Sequence, residues 1–270
     1  MYTWDIAALV GSAADAQPYA VVLLNTPIPH AHVRTFERIW THASERICAD
    51  GAANRLYDLA LDQLPLPTQI CGDLDSIRPQ VRAHYEAQHV PVVLRPSQYA
   101  TDLQKGIQAV EDLEGDQPRR LILFGGLTGR LDQTAHTLHV LWQLAPDTPS
   151  EKSVTDPTDS RGGVLKKRAV TISVSENSVT LLLPKGEHTL VHNRQLLGKT
   201  CGILPLGSSA HVSTRGLEWN LNGELSSLGG FLSTSNHLAP DGDGTVCVQT
   251  DSPVYWTVEL KEDAVITKAQ

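Results

Sequence analysis

Between residues 20 and 145 short apolar runs alternate with stretches of helical spacing, and this alternation constrains the chain more than any other feature. Strand-like runs stand at 20–24, 46–49, 69–71, 91–94 and 120–124. Val33, Phe36, Trp40 and Ala43 recur at helical spacing after the first run, and residues 52–61 follow the second. Pro79, a favoured first helical residue, opens a third helix. Leu103, Ile107, Val110 and Leu113 share the face of a fourth, and Leu131, Ala135, Leu138 and Trp142 lie on a fifth. Strands separated by helices return to one sheet by crossovers, which predicts an α/β domain over residues 1–145 with a mainly parallel, doubly wound sheet.

From residue 169 the period changes to two. Runs at 170–174, 179–183, 188–191, 202–206, 211–214, 231–234, 246–249 and 254–260 are punctuated by Gly, Pro and Asn, the pattern of an antiparallel sandwich or barrel over 169–270. Residues 146–168 are polar, with Pro, Gly, Ser and Thr throughout, and read as a flexible linker or surface insertion. The one basic cluster, Lys166-Lys167-Arg168, falls in it and reads as solvated.

A length of 270 residues accommodates one large or two ordinary domains. With 41% apolar and 19% charged residues the composition is that of a soluble globular protein. The net charge of −8 argues against a nucleic-acid or anionic-membrane partner, because phosphates are held by clustered Lys and Arg. No apolar run reaches membrane-spanning length, and no basic region precedes a hydrophobic stretch at the N-terminus. Cys48, Cys71, Cys201 and Cys247 have no metal-like spacing, so reduced, mostly buried thiols are expected. The cytoplasm is the expected compartment.

Four polar segments each follow an expected strand immediately: Asp50, the pair Asp73 and Asp75, residues 98–102, and Gly125 to Arg130. Ligands of open parallel sheets bind at the carboxyl ends of the strands, so the four should converge on one crevice. In an extended segment Asp73 and Asp75 would point to the same side, where two like charges favour a hard cation such as Mg²⁺; the competing reading is an acidic turn before the Pro79 helix. The Gly-Gly-Leu-Thr-Gly-Arg segment can offer backbone N–H groups and a guanidinium to a phosphate, or can be a tight turn. Thr101 is a helix cap, Asp102 a first-turn residue and Lys105 lies one turn on; they serve either as capping and solvation or as a further carboxylate and a phosphate-binding cation. Asp132 fits a helix-dipole partner. Trp219 is expensive to leave exposed and reads as core, interface or ligand platform, with core the first reading from pattern alone. The histidines have no metal-ligand spacing, and no Ser/His/Asp or Cys/His triad can be drawn.

Taken together, residues 49–54 (Ala-Asp-Gly-Ala-Ala-Asn), 72–76 (Gly-Asp-Leu-Asp-Ser), 98–105 (Gln-Tyr-Ala-Thr-Asp-Leu-Gln-Lys), 125–133 (Gly-Gly-Leu-Thr-Gly-Arg-Leu-Asp-Gln), 217–221 (Leu-Glu-Trp-Asn-Leu) and 233–236 (Ser-Thr-Ser-Asn) resemble the thiamine pyrophosphokinases, in particular the fungal form. The resemblance runs in order over nearly the whole chain. Ser97-Gln98-Tyr99 departs from it, many members having Asp-Gln-Asp or Asp-Gln-Asn, and the 146–168 insertion is unusually long. The resemblance implies diphosphate transfer from ATP to the thiamine hydroxyl, giving thiamine diphosphate and AMP. It also implies a homodimer of α/β catalytic and β-sandwich domains, with thiamine lying between subunits. On it, Asp73, Asp75, Asp102 and Asp50 would hold Mg²⁺, and Lys105 and Arg130 would neutralise charge as AMP leaves. Asn54, Gln98, Thr101, Gly126, Asp132 and Gln133 would join Asp50 and Arg130 around the substrates. Trp219 would stack on the thiamine cation, with Asn220, Ser233 and Asn236 as polar fixers. A different small-molecule kinase would keep the phosphate crevice without needing the Trp219 domain. A non-catalytic thiamine or nucleotide sensor need not keep Asp73, Asp75 and Asp102 together.

Overall fold

The structure, a computed structural model, describes residues 1–9, 18–61, 63–149 and 164–263. In chain order its elements are β1 (Tyr2–Asp5), α1 (Ile6–Leu9), β2 (Tyr19–Leu23), α2 (Val33–His42), β3 (Glu45–Ala49), α3 (Ala52–Asp58), β4 (Gln69–Gly72), α4 (Pro79–Ala87), β5 (Val92–Leu94), α5 (Asp102–Glu114), β6 (Arg120–Phe124), α6 (Leu131–Leu144) and β7 (Thr171–Ser175). Eight more strands follow: β8 (Ser178–Leu183), β9 (Gly186–Val191), β10 (Leu197–Leu204), β11 (Ala210–Arg215), β12 (Asn222–Ser226), β13 (Ser233–His237), β14 (Thr245–Thr250) and β15 (Val254–Leu260). These elements form two compact units.

The α/β unit holds β2 to β7 in the order β7-β6-β2-β3-β4-β5, every pair parallel. The chain lays down β3, β4 and β5 on one side of β2, then crosses back to place β6 and β7 on the other. The reversal between β2 and β6 is the switch point at which open sheets leave a crevice. All five residues of β2 are buried, as expected of a central parallel strand covered on both faces. In α6 the buried positions are Thr137, Val140, Leu141 and Leu144, whereas Leu131 is exposed at the helix start.

Two expectations need correction here. The 170–174 run does not open the antiparallel domain: as β7 it pairs parallel with β6, α6 lies in the crossover between them, and it is buried throughout. The end of the expected linker is anchored as well. Arg168 is fully buried, forks onto both Glu114 carboxylate oxygens at 2.7 and 2.8 Å, and donates to the Arg119 carbonyl at 3.0 Å. A guanidinium taken out of water requires such a partner, so this residue of the basic cluster is a structural ion pair. Lys167 Nζ donates to the Thr148 hydroxyl at 2.7 Å. Residues 150–163 of the expected insertion lie outside the described residues.

The second unit contains two groups of strands. One has the order β1-β9-β14-β11-β12, and the other the order β13-β10-β15-β8. Only the β1–β9 pair is parallel among them. Burial alternates along β11 and β14, which leaves each strand one apolar face and one wet face. The exposed edge strand β12 has too little apolar alternation to be found from sequence. The 231–234 run begins its strand two residues later than expected, at Ser233.

The units are not contiguous in sequence, so boundaries at 145 and 169 do not describe them. Tyr2–Asp5 joins the second unit because Trp4 is buried there and its Nε1 donates to His188 Nδ1 at 3.1 Å. Residues 28–39 join it too: the Asp263 carboxylate accepts the Arg34 N–H at 2.7 Å and the Thr35 hydroxyl at 2.7 Å. Among the described residues no helix is long and apolar enough to cross a membrane.

Candidate active site

The site of the α/β unit begins one residue beyond β3. Asp50 has φ 45° and is 1% exposed, and its carboxylate accepts the N–H groups of Ser76 at 3.1 Å and Ile77 at 3.2 Å. It thereby pins the turn that follows β4. Gly72 permits the approach, since a Cβ there would come within 2.6 Å of the Asp50 Cβ. Burial pushes the Asp50 carboxyl up to about 6; the Ser76 hydrogen bond opposes this, and the charges of Asp102 and Asp73 reinforce it.

Asp73 follows β4 and Asp102 opens α5, and Lys105 lies between them. Lys105 is 2% exposed, and its Nζ donates to Asp73 Oδ2 at 3.4 Å and Asp102 Oδ1 at 3.3 Å. Burial raises the Asp102 carboxyl, against the pull of Lys105. Burial acts upward on Asp73 too, but the Lys105 ammonium and several hydrogen bonds outweigh it and hold that carboxyl below the usual range. Asp50, Asp73 and Asp102 each offer an oxygen, and the three oxygens lie within 4.8 Å of one another. The buried Oδ1 of Asp73 has no hydrogen-bond partner. An all-oxygen donor set with one unpartnered buried oxygen, and three carboxylates against one ammonium, fits a hard divalent cation.

Asp75 is not one of those three, although its side chain lies within hydrogen-bonding reach of the Asp50 and Asp73 carboxyls. Leu74 has φ 63°, so residues 73–75 form a turn and not the extended segment from which a shared direction of Asp73 and Asp75 was expected. Asp75 is exposed and accepts the Ser76 hydroxyl at 2.8 Å, while still influencing the ionisation of Asp50 and Asp73.

Asn54 braces the same turn from α3: its Nδ2 donates to the Ser76 carbonyl at 2.8 Å and its Oδ1 accepts the Arg78 N–H at 3.0 Å. Thr101 is the N-cap of α5 in a capping box with Gln104, and its hydroxyl lies 2.7 Å from His136 Nε2. Gln98 is exposed and donates to the Pro96 carbonyl at 3.4 Å. In the glycine-rich loop, Gly125, Gly126 and Gly129 take φ of 97°, 89° and 80°, which favours glycine at each. Two of the N–H groups expected to face a phosphate are committed to the scaffold, that of Gly125 to the Val174 carbonyl and that of Leu127 to Ser175 Oγ. Arg130 is exposed and forks onto Asp132 at 2.6 and 3.1 Å, which holds the Asp132 carboxyl below its ordinary range. Gln133 is exposed, and its carbonyl accepts the Thr137 hydroxyl.

In the second unit Trp219 is not core: it is 55% exposed. The reason is the rigid turn that carries it. Asn220 Oδ1 accepts the Leu217 N–H at 3.1 Å and its Nδ2 returns to the Leu217 carbonyl at 2.9 Å. Buried Asn236 accepts the Trp219 N–H at 3.3 Å and donates to the Trp219 carbonyl at 2.8 Å and to Ser233 Oγ at 3.2 Å. The backbone on both sides is thus fixed, and the indole stands outward with its ring 5.1 Å from that of His237. His237 Nδ1 in turn lies 2.9 Å from Glu218 Oε2.

Sequence reasoning did not reach Asn25 or His136. Asn25 follows β2 as Asp50 follows β3, and its Oδ1 accepts Arg55 Nε at 3.0 Å, so the argument from strand ends could have found it. His136 carries no signal of spacing.

A parallel sheet whose carboxyl ends gather three carboxylates, two of them on a buried lysine, in a chain with an antiparallel unit displaying a tryptophan, defines the class: a two-unit α/β protein with a candidate cation site. Residues 36–152 match the family model of the thiamin pyrophosphokinase catalytic domain, and residues 187–255 match that of the thiamin pyrophosphokinase vitamin B1 binding domain. The chain is 31% identical over 265 residues to thiamine pyrophosphokinase 2 of rice (Oryza sativa subsp. japonica), covering 92% of this chain and 88% of the relative. It is 33% identical to thiamine pyrophosphokinase 2 of Arabidopsis thaliana, covering 90% and 87%. The chain belongs to the thiamine pyrophosphokinase family. In fold it is similar to the solved yeast thiamin pyrophosphokinase (TM-score 0.76, 24% identity, 99% of this chain and 94% of that one) and to that of Candida albicans (TM-score 0.76, 21% identity, 96% and 93%).

Proposed function

We propose that this chain transfers the diphosphate of ATP to the hydroxyl of thiamine, giving thiamine diphosphate and AMP. The observation that carries the reading is the Asp50, Asp73 and Asp102 group, with Lys105 on the last two, in a chain whose residues 36–152 and 187–255 match the two domains of the family. Asp50, Asp73 and Asp102 would hold Mg²⁺, and Asp75, which is not one of the three but meets the Asp50 and Asp73 side chains, is the further candidate ligand. When bound, the metal supplies charge neutralisation and a template for the triphosphate. Lys105, held between two carboxylates, can attract the oxygens on which negative charge grows as AMP departs. Arg130 reaches a phosphate by exchanging its fork from Asp132, a surface pair that is cheap to break. Such transfer depends mainly on positioning and electrostatics, so no strong base is required; Asp102 is the carboxylate proposed to take the hydroxyl proton.

Trp219 offers an exposed indole to the thiamine cation, and Asn220, Ser233 and Asn236 act through the turn that presents it. Gln98, Thr101, Gly126, Asp132, Gln133 and Asn54 are the further residues proposed around the substrates, with Asn54 acting through the Ser76 turn. The finer reading is a homodimer in which Trp219 of one protomer serves the Asp73 of its partner; its support is the family resemblance. Assayed at thiamine well below KM, where each homodimer is nearly inactive, co-refolding Asp73→Ala with Trp219→Ala chains should restore about a quarter of wild-type activity, because random pairing gives about half heterodimers with one intact site each. No recovery in confirmed heterodimers would reject the shared site. The reaction itself is tested by incubating purified protein with thiamine, ATP and Mg²⁺: AMP is the expected co-product, and ADP would refute diphosphate transfer.

A further inference from the structure

His136 lies on the second turn of α6, the helix that follows the glycine-rich loop, and its Nε2 is 2.7 Å from Thr101 Oγ1. Thr101 governs the start of α5. Its hydroxyl accepts the Gln104 N–H at 3.3 Å, Gln104 Oε1 accepts the Thr101 N–H at 3.1 Å, and the Thr101 carbonyl takes the Lys105 N–H at 2.9 Å. The next residue is Asp102, and one turn on is Lys105, whose side chain joins Asp102 to Asp73. The His136 contact therefore links the N-cap of α5 to the second turn of α6, the helices that follow β5 and β6.

We propose that His136 is a positioning residue: by holding the Thr101 hydroxyl it fixes the first turn of α5, and with it the Asp102 carboxylate and the Lys105 ammonium. The proposal deepens the diphosphate-transfer reading and rests on it. Three features support this role over a structural one. The contact is shorter than the capping bonds around it, at 2.7 Å against 3.1–3.3 Å. Leu103, Ile107 and Val110 already bury the apolar face of α5, so the fold does not depend on the contact, whereas Thr101 is exposed and Asp102 half-buried, and their side chains are held by polar contacts. Burial, with His139 beside it, lowers the His136 pKa, so the imidazole is neutral near pH 7 and one nitrogen remains an acceptor for the hydroxyl proton.

The test compares His136→Ala, His136→Gln and His136→Asn in the full-length protein. A glutamine amide can reach the place of the imidazole Nε2, and an asparagine amide reaches only that of Nδ1. His136→Ala and His136→Asn should lower kcat about tenfold with the thiamine KM unchanged within about twofold, and His136→Gln should retain most of the rate. Hydrogen exchange at the Gln104 amide should accelerate in the Ala and Asn variants and stay slow in the Gln variant. Wild-type kcat in His136→Ala, or a Gln variant no better than Asn, would overturn the proposal while leaving the function intact. If the wild type releases no AMP, the function fails instead and hydrogen exchange alone decides: equal Gln104 protection in all four proteins refutes the positioning role, and selective rescue by Gln supports it.

Discussion

The acidic group of the α/β unit and the Trp219 turn of the antiparallel unit are built on opposite plans. In the first, the working groups are largely removed from water and press on one another: Asp50 and Lys105 are buried, and one oxygen of Asp73 has no partner. In the second, the polar groups are satisfied within the turn and the apolar ring is left in water. A buried, frustrated carboxylate group binds a cation by relief of repulsion, and a large ring on a rigid turn binds a flat cation with little ordering of its own backbone. Under the proposed function, metal and phosphate chemistry would belong to the first region and recognition of the organic substrate to the second.

The largest effect that can break this division is at Asp73. Asp73→Asn keeps the size and removes the charge with the unpartnered oxygen, and should lower kcat/KM by about a thousandfold, whereas Asp75→Asn, not at one of the three, should cost about a hundredfold or less. Steady-state kinetics at saturating Mg²⁺ decides; equal losses would put both aspartates on the metal. Next in size, Trp219→Ala should raise the thiamine KM about thirtyfold with a smaller change in kcat, and Trp219→Phe should recover part of the loss. A kcat defect alone would assign the indole to the chemistry. Arg130→Lys should cost about tenfold, because an ammonium does not reproduce the planar fork now held by Asp132. Unchanged kinetics would reduce Arg130 to a partner of the helix start.

The smallest effect expected is on stability. Asp50, at about 6, and Asp102 have folded carboxyl pKa values above the 3.8 of an unperturbed Asp, so without metal the folded state holds their protons longer than the unfolded chain does. Their contribution to stability therefore falls as pH rises through about 4 to 6, while the lowered Asp73 works in the opposite direction. Mg²⁺ binding should offset the penalty, so it should raise Tm by about a few degrees more at pH 7 than at pH 5. Thermal scans with Mg²⁺ and with EDTA check the sign, and an Mg²⁺ effect larger at pH 5 would remove Asp50 and Asp102 from the cation site.

The same contrast explains what could be read from the sequence. The parallel sheet was legible because each crossover leaves an apolar strand and a helical period, and Asp50, Asp73 and Asp102 were legible because each follows such a strand. The close grouping of those three, without Asp75, was not, because it depends on the left-handed backbone at Leu74. Burial of Arg168 was hidden in a polar stretch, since its partner Glu114 is 54 residues away. Non-local pairing also hid β1, whose short run carries no pattern until it meets β9. The exposure of Trp219 does not show in the pattern, because an apolar side chain alone cannot reveal that the backbone beneath it is held by Asn220 and Asn236. The contact of His136 with Thr101 joins two helices 35 residues apart and depends on their packing.

The division of labour is tested most directly by calorimetric titration of thiamine into Asp73→Asn and Trp219→Ala beside the wild type. The account predicts that Asp73→Asn binds thiamine within about threefold of wild-type affinity while its turnover is lost, and that Trp219→Ala binds at least about tenfold more weakly. Thiamine affinity lost in Asp73→Asn and kept in Trp219→Ala would contradict it.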